Sequence, residues 1–291
     1  MKVTILLSVF ILCFSCKAEV KKIGSSQKTK TTIEPIKTQL SQVDTQIQNT
    51  ILSRFKAPKR YKRAKYAPNS FKTYLRTLPL KPEGAEVKYF NGSYKGNKVY
   101  DAVVDLEIGD KDLHQCADAV MRLRAEYLWA QKEYDRIHFN FTNGFRVDYS
   151  EWMKGRRIIV EGNRTFWNTR NNPSNTYEDF WKYLEQIFMF AGTASLEKEL
   201  VGVNIQDATI GDVLIRGGHP GHAVIIVDEC VHEETGEKLY LLAQSYMPAQ
   251  EIQILKNPND LAPSAWYRFD QEDISTPEWR FESSHLKRFR Y

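Results

Sequence analysis

Three residues far apart in the sequence have side chains that could together cleave an acyl bond. Cys116 lies in the opening turn of a predicted helix, where free amides and the helix dipole favour a thiolate. His222 follows a glycine-rich turn and begins an apolar strand, and Gln244 ends the next strand. This order of a thiol, an imidazole and a polar residue predicts nucleophilic catalysis, in which Cys116 attacks, His222 transfers the proton and Gln244 orients the ring.

Other residues near these positions are candidates for binding a substrate. The backbone amides near Gln115 and Cys116 would face the oxyanion of an acyl intermediate, and His219 lies in the glycine-rich turn. Arg124 falls in the middle of an apolar helix face, so it needs an internal carboxylate or a substrate carboxylate as its partner. If the hairpin formed by the strands of His222 and Gln244 has a shifted register, a residue between Ser245 and Gln250 would lie opposite His222 in place of Gln244.

Three plainer interpretations of the same residues stay open. Cys116 could be an inert core cysteine, because cysteine is among the most buried residue types. A disulfide between Cys116 and Cys230 is another, although Cys230 lies roughly 25 Å along the strand from His222. His219, His222 and Asp212 could bind a metal ion, but no third histidine has a ligand spacing, so we expect neither metal nor cofactor.

The N-terminus has the pattern of an export signal. Lys2 precedes the apolar stretch Val3–Phe14, which is too short to span a bilayer and ends at Ser15-Cys16. This pattern resembles the lipobox of bacterial lipoproteins, which implies a signal peptide over residues 1–15 and lipid attached to Cys16. The expected location is the cell envelope, anchored to a bacterial membrane, in first place the outer membrane. An ordinary secretory signal without lipid is the alternative.

Charge is unevenly distributed along the chain. Residues 17–66 contain 13 Lys and Arg against three acidic residues, although the whole chain is only +5. The remainder is therefore net acidic, which argues against nucleic acid as a partner. We expect a basic flexible tether over residues 16–45 and a single domain over residues 46–291, since 42% hydrophobic and 12% aromatic residues can form a core.

Periodicity predicts helices and strands in alternation with turns. Apolar spacing of 3.6 residues predicts two short and two long helices, and runs of apolar or alternating residues predict strands. The predicted helices are one that ends before Pro58, Ser70–Leu78, Asp110–Gln131 and Thr176–Ala191; the predicted strands are Val99–Ile108, Ile137–Phe141, Phe145–Tyr149, Val213–Ile215, Ala223–Val227 and Leu239–Ala243. The pattern favours an α+β fold, with helices packed on an antiparallel sheet.

Two families resemble this chain. The strand beginning at Gly211-Asp212 and the strand beginning at Gly221-His222 resemble those of the papain-like NlpC and CHAP superfamily, whose members cleave amide bonds in peptidoglycan peptides. That resemblance implies a papain-like fold and matches Cys116, His222 and Gln244 to a catalytic triad.

The second resemblance extends over nearly the whole exported domain and is to the bacterial lipoprotein family named domain of unknown function 4846. It supports lipidation and export but implies no activity. It rests on these segments: Tyr74–Leu80, Gln115–Tyr127, Phe190–Thr193, Ala243–Gln250 and Thr276–Trp279.

The sequence thus supports two hypotheses. The first is a lipid-anchored cysteine amidase or peptidase that acts on peptidoglycan or a similar envelope peptide polymer. The second is a non-catalytic envelope lipoprotein whose papain-like fold serves binding or assembly.

Overall fold

The computed structural model describes residues 49–259, 264–269 and 273–290. The expected signal peptide (1–15), the lipidation site Cys16 and the tether (16–45) lie outside the described residues. Within those ranges, no helix has both the length and the apolar character needed to cross a membrane.

Three of the described helices begin at a Ser or Thr side chain that caps a free backbone amide. Thr176 accepts a hydrogen bond from the backbone N–H of Asp179, as its place before an apolar helical stripe predicts. Ser70 caps the second helix in the same way, through the N–H of Thr73. The helices are α1 (Ile51–Arg54), α2 (Phe71–Arg76), α3 (Cys116–Ala130), α4 (Tyr149–Met153), α5 (Tyr177–Phe190) and α6 (Thr193–Glu199).

The strands form one large antiparallel sheet and three separate hairpins. The strands of the large sheet are β1 (Tyr61–Lys62), β2 (Tyr100–Val103), β7 (Val201–Gly202), β8 (Val213–Arg216), β9 (His222–His232), β10 (Lys238–Gln244), β11 (Gln253–Leu255), β12 (Trp266–Arg268) and β15 (Leu286–Arg288). Their order across the sheet is β2-β11-β10-β9-β8-β15-β7, and β1 also pairs with β9 and β12 with β10. The hairpins pair β3 (His138–Asn140) with β4 (Arg146–Asp148), β5 (Arg156–Glu161) with β6 (Arg164–Thr169), and β13 (Asp273–Ser275) with β14 (Arg280–Glu282).

Both faces of the central strand β9 are covered. Ala223, Ile225 and Val227 belong to the larger core, together with the apolar faces of α3 and α5. Val224 and Ile226 belong to a smaller core on the other face, which includes Phe281 and other residues of the C-terminal segment. Burial on both faces explains why this strand is a continuous apolar run, and it confirms the predicted α+β class.

Some observed elements differ from the predicted ones. The long helix begins at Cys116, not at Asp110. The Asp118 carboxylate accepts the N–H of Gln115 at 2.9 Å, and this bond caps the N-terminus of the helix at Gln115. Strand β9 continues five residues beyond the predicted Val227, through a register shift against β10. The β5–β6 hairpin was not predicted, and its tight turn lies at Gly162, which has a φ of 59°.

Candidate active site

A cleft of about 490 Å³ lies at the end of the sheet where β9 begins. It is lined by the first residues of α3, by the loop residues 218–221 and by the start of α6. Tyr246, Met247 and Trp279 also line it. Cys116 and His222, which are distant in sequence, both line this cleft.

Cys116 is the first residue of α3, and its thiol is free. The backbone N–H groups of Cys116, Ala117 and Ala223 are directed at its sulfur. Burial nevertheless raises the pKa of this thiol to about 11, and the neighbouring Asp118 carboxylate adds to the effect. The expectation of a lowered thiol pKa was therefore wrong, because the effect of burial on the pKa outweighs that of the helix terminus.

His222 is the first residue of β9, and its ring is held by one hydrogen bond and by neighbouring aromatic rings. Its Nε2 lies 2.8 Å from Oε1 of Gln244, and the tilted rings of Tyr246 and Trp279 have their centroids 4.7 and 5.4 Å away. Burial lowers the pKa of His222 to about 4, so the imidazole is neutral at physiological pH.

A chain of polar side chains fixes the tautomer of this histidine. Gln244 donates from Nε2 to the carboxylate of Glu278 at 2.6 Å, and Glu278 pairs with the buried ammonium of Lys95 at 2.7 Å. Because a carboxylate only accepts, the Gln244 amide must turn its oxygen towards His222. His222 then carries its proton on Nε2, and its Nδ1 has the lone pair that a base requires.

Glu278 and Lys95 were not identified from the sequence. Glu278 lies in the Thr276–Trp279 segment that contributed to the family resemblance, but the sequence did not connect it with Gln244, 34 positions away. In the structure the C-terminal segment supplies Trp279 to the cleft and to the ring of His222, and it supplies Glu278 to the side-chain amide of Gln244.

The thiol and the ring approach the cleft from different sides of β9. His222 alternates with Val224 and Ile226 and lies on the smaller-core face, whereas α3 packs on the larger-core face. Both residues nevertheless line the same cleft, and His222 is the terminal residue of its strand. In the described part of the chain, no hydrogen bond joins the Cys116 sulfur to the imidazole.

The three predicted substrate-binding residues have different positions. Gln115 and His219 line the cleft, and His219 is exposed. The backbone N–H of Gln115 already donates to Asp118 and Leu113, which leaves the amides of Cys116 and Ala117 for an oxyanion.

Arg124 does not line this cleft, so it is not positioned to bind a substrate carboxylate there. It lies two helical turns beyond Cys116, where its guanidinium packs over the rings of Phe71, Tyr127 and Phe289.

The alternatives to Gln244 have other partners. The Ser245 hydroxyl donates to the backbone carbonyls of His114 and Gln250, and the Gln250 side-chain amide donates to the carbonyl of Pro248. These bonds hold the loop after β10 against the segment before α3. Gln244 is therefore the residue that contacts the imidazole.

The disulfide and metal interpretations do not fit the geometry. Cys230 is a free thiol buried in the core, and Cys116 is free as well. The Asp212 carboxylate pairs with Arg288 at 2.6 and 2.8 Å and accepts the N–H of Thr209, so it is not directed at His219 or His222. In the described ranges, no three His, Cys, Asp or Glu side chains are grouped as metal ligands.

The 217–221 loop has close contacts that only glycine permits. A Cβ at Gly221 would lie 2.4 Å from the Gly218 carbonyl oxygen, 2.4 Å from the Thr193 hydroxyl and 2.9 Å from the Arg216 carbonyl oxygen. At Gly221 the backbone approaches α6 and the loop itself, which fixes the backbone just before His222.

Comparison with known proteins identifies a family without a known activity. No curated protein and no solved structure matches the chain. A family model described as a domain of unknown function (4846) matches residues 51–288, a span that includes every residue that lines the cleft. The chain therefore belongs to the DUF4846 family.

Proposed function

We propose that this protein is a lipid-anchored cysteine hydrolase of the bacterial envelope that cleaves amide bonds in a cell-wall peptide or a similar polymer. The observation that supports this most strongly is the common cleft: it is lined by a free thiol at a helix N-terminus and by a histidine whose unprotonated nitrogen is set by Gln244 and Glu278.

The proposed reaction has two steps. Nδ1 of His222 takes the thiol proton while the Cys116 sulfur adds to the carbonyl carbon, and the amides of Cys116 and Ala117 stabilise the oxyanion. The intermediate collapses as the C–N bond breaks, and His222 returns the proton to the departing amine. Water then attacks the thioester with His222 as base, which releases a carboxylic acid and restores the thiol.

The two pKa values indicate which protonation state begins this reaction. A thiol pKa raised to about 11 beside an imidazole pKa lowered to about 4 favours the neutral pair over a thiolate–imidazolium pair. The proposed enzyme therefore deprotonates its thiol during attack, as a serine hydrolase does with its hydroxyl. The papain-like triad is part of this proposal.

The experiment is digestion of purified peptidoglycan, with released amines and fragment masses as the measurements. We expect the wild-type protein to release new amino groups at peptide bonds and Cys116→Ala to release none. Cys230→Ala is the matched control, because it removes the other described thiol from a position outside the cleft. Equal release by wild type and Cys116→Ala would reject the proposal.

The second candidate is a non-catalytic envelope lipoprotein that binds a cell-wall peptide in the same cleft. The raised thiol pKa and the absence of a hydrogen bond from the described Cys116 sulfur to His222 favour it. It predicts that Cys116→Ala binds peptidoglycan as well as wild type does, while wild type leaves every peptide bond intact.

A further inference from the structure

Two exposed apolar side chains line the cleft. Met189 is 50% exposed and Met247 is 60% exposed, and both line the same cavity as Cys116 and His222. Three other large apolar side chains are exposed in the described part of the chain, and these lie outside the cleft: Leu52, Tyr94 and Val201. Exposed apolar side chains at one cleft are typical of a binding surface, because an apolar ligand group removes them from water.

The two methionines come from different segments, and an aromatic residue that also lines the cleft precedes each of them. Met189 follows Phe188 near the end of α5, whereas Met247 follows Tyr246 in the loop after β10. Tyr246 is half-buried, and its ring centroid lies 4.7 Å from that of the His222 ring. Apolar lining is therefore present beside the proposed base as well as at the exposed methionines. Methionine suits such a surface, because its unbranched side chain adapts to ligands of different shape.

The charges of the cleft disfavour a charged ligand group. No Lys or Arg is present among the described residues that line it, so a ligand carboxylate would lose water without gaining a countercharge. The carboxyl groups that line it are those of Asp112 and Asp118. Burial raises the pKa of Asp118 to about 8, which leaves this group mostly protonated at neutral pH. Asp112 is exposed, so water weakens its attraction for a cation.

We propose that Met189 and Met247 determine the specificity of the cleft, by binding an uncharged apolar side chain next to the scissile amide. The substrate class is a peptide with an aliphatic residue beside the scissile bond, in place of an acidic or a basic one. This inference deepens the proposed function. It rests on that function for its reaction but not for its binding preference.

The test measures how fast three small reagents alkylate Cys116. Each is a chloroacetamide, whose chloride is displaced by the thiol sulfur while the thiol proton passes to solvent. The amide nitrogen carries a butyl, a 2-carboxyethyl or a 3-aminopropyl group, which are similar in length but neutral, negative and positive. Mass spectrometry of the Cys116 peptide gives each rate in the full-length protein at pH 7. Each rate is divided by that of the same reagent with 2-mercaptoethanol, which corrects for intrinsic reactivity.

We expect the corrected rate of the butyl reagent to be at least about tenfold higher than that of either charged reagent. Burial of two or three methylene groups corresponds to roughly this factor. Met189→Gln together with Met247→Gln should reduce the advantage to less than about threefold, since glutamine is similar in size but polar. Leu52→Gln is the matched control, because it removes an exposed apolar side chain outside the cleft, and it should keep the advantage.

Equal corrected rates, a higher corrected rate for a charged reagent, or no alkylation by any reagent would overturn the inference. An advantage of the butyl reagent that survives both methionine substitutions would overturn it as well. Digestion of peptidoglycan by the wild-type protein separates this inference from the proposed function. A preference for the butyl reagent with every peptide bond intact would reject the hydrolase but keep the apolar subsite, whereas cleavage with equal corrected rates would do the reverse.

Discussion

At the scale of single residues, the polar groups of the site differ in how many of their hydrogen-bond partners the protein supplies. The Cys116 sulfur is surrounded by amides but has no imidazole partner among the described residues, and Oδ1 of Asp118 has no hydrogen-bond partner there. His222, by contrast, is held by a chain that ends in the buried charge of Lys95. The His222 ring is therefore held in one orientation by the protein itself.

The Lys95–Glu278 pair provides a prediction about the histidine tautomer. Glu278→Gln leaves Lys95 buried without its countercharge, and we expect a loss of up to about 3 kcal/mol in the free energy of unfolding. Adding Lys95→Met should recover most of that loss, because no buried charge then remains.

In the same double variant, the tautomer of His222 should no longer be fixed. A glutamine at position 278 can accept from Gln244 or donate to it, so the Gln244 amide can present either end to His222. Nitrogen chemical shifts of the His222 ring measure this. Wild type should have its proton on Nε2, and the double variant should have a mixture of tautomers. A single Nε2 tautomer in the double variant would contradict the role given to Glu278.

At the scale of elements, the sequence predicted local features better than it predicted contacts between distant segments. The cap at Thr176, the apolar run of β9 and the position of Gln244 at the end of β10 follow from residue types and spacing alone. The approach of Glu278 does not, because it depends on how the C-terminal segment folds over the sheet. The predicted lowering of the Cys116 pKa was wrong for a related reason, because the burial that raises this pKa comes from elements distant in sequence.

The contact between the 217–221 loop and α6 provides a prediction about stability. Gly221→Ala places a methyl group against two carbonyl oxygens and the Thr193 hydroxyl, so we expect a loss of about 1–3 kcal/mol and a displaced His222. Gly202→Ala is the control, since its Cβ would meet nothing within 4 Å, and it should change stability by less than about 0.5 kcal/mol. Thermal unfolding measures both, and equal melting temperatures would contradict the role of the loop.

At the scale of the whole molecule, the family match and the charge distribution describe two different parts of the chain. The family match covers residues 51–288, which include the sheet and the cleft. The basic excess lies in residues 17–66, mostly before that span.

Lipidation at Cys16 is the prediction at this scale. In a bacterial host, wild type should sediment with the membrane fraction and partition into detergent. Cys16→Ser should move to the soluble fraction, because the thiol that accepts the lipid is missing. The melting temperature of the folded domain should not change. Membrane association that survives Cys16→Ser would contradict the lipoprotein assignment.

The most direct measurement of the central proposal is the pH dependence of Cys116 alkylation by iodoacetamide. Mass spectrometry of the Cys116 peptide gives the rate for wild type and for His222→Asn. In the variant we expect the rate to rise about tenfold per pH unit towards the thiol pKa of about 11, because only thiolate reacts. In wild type, His222 is a neutral base above its pKa of about 4, so the rate at pH 6–8 should exceed that of the variant by at least about tenfold. Identical profiles for the two proteins would mean that the ring at 222 does not act on the sulfur at 116, and the hydrolase proposal would be rejected.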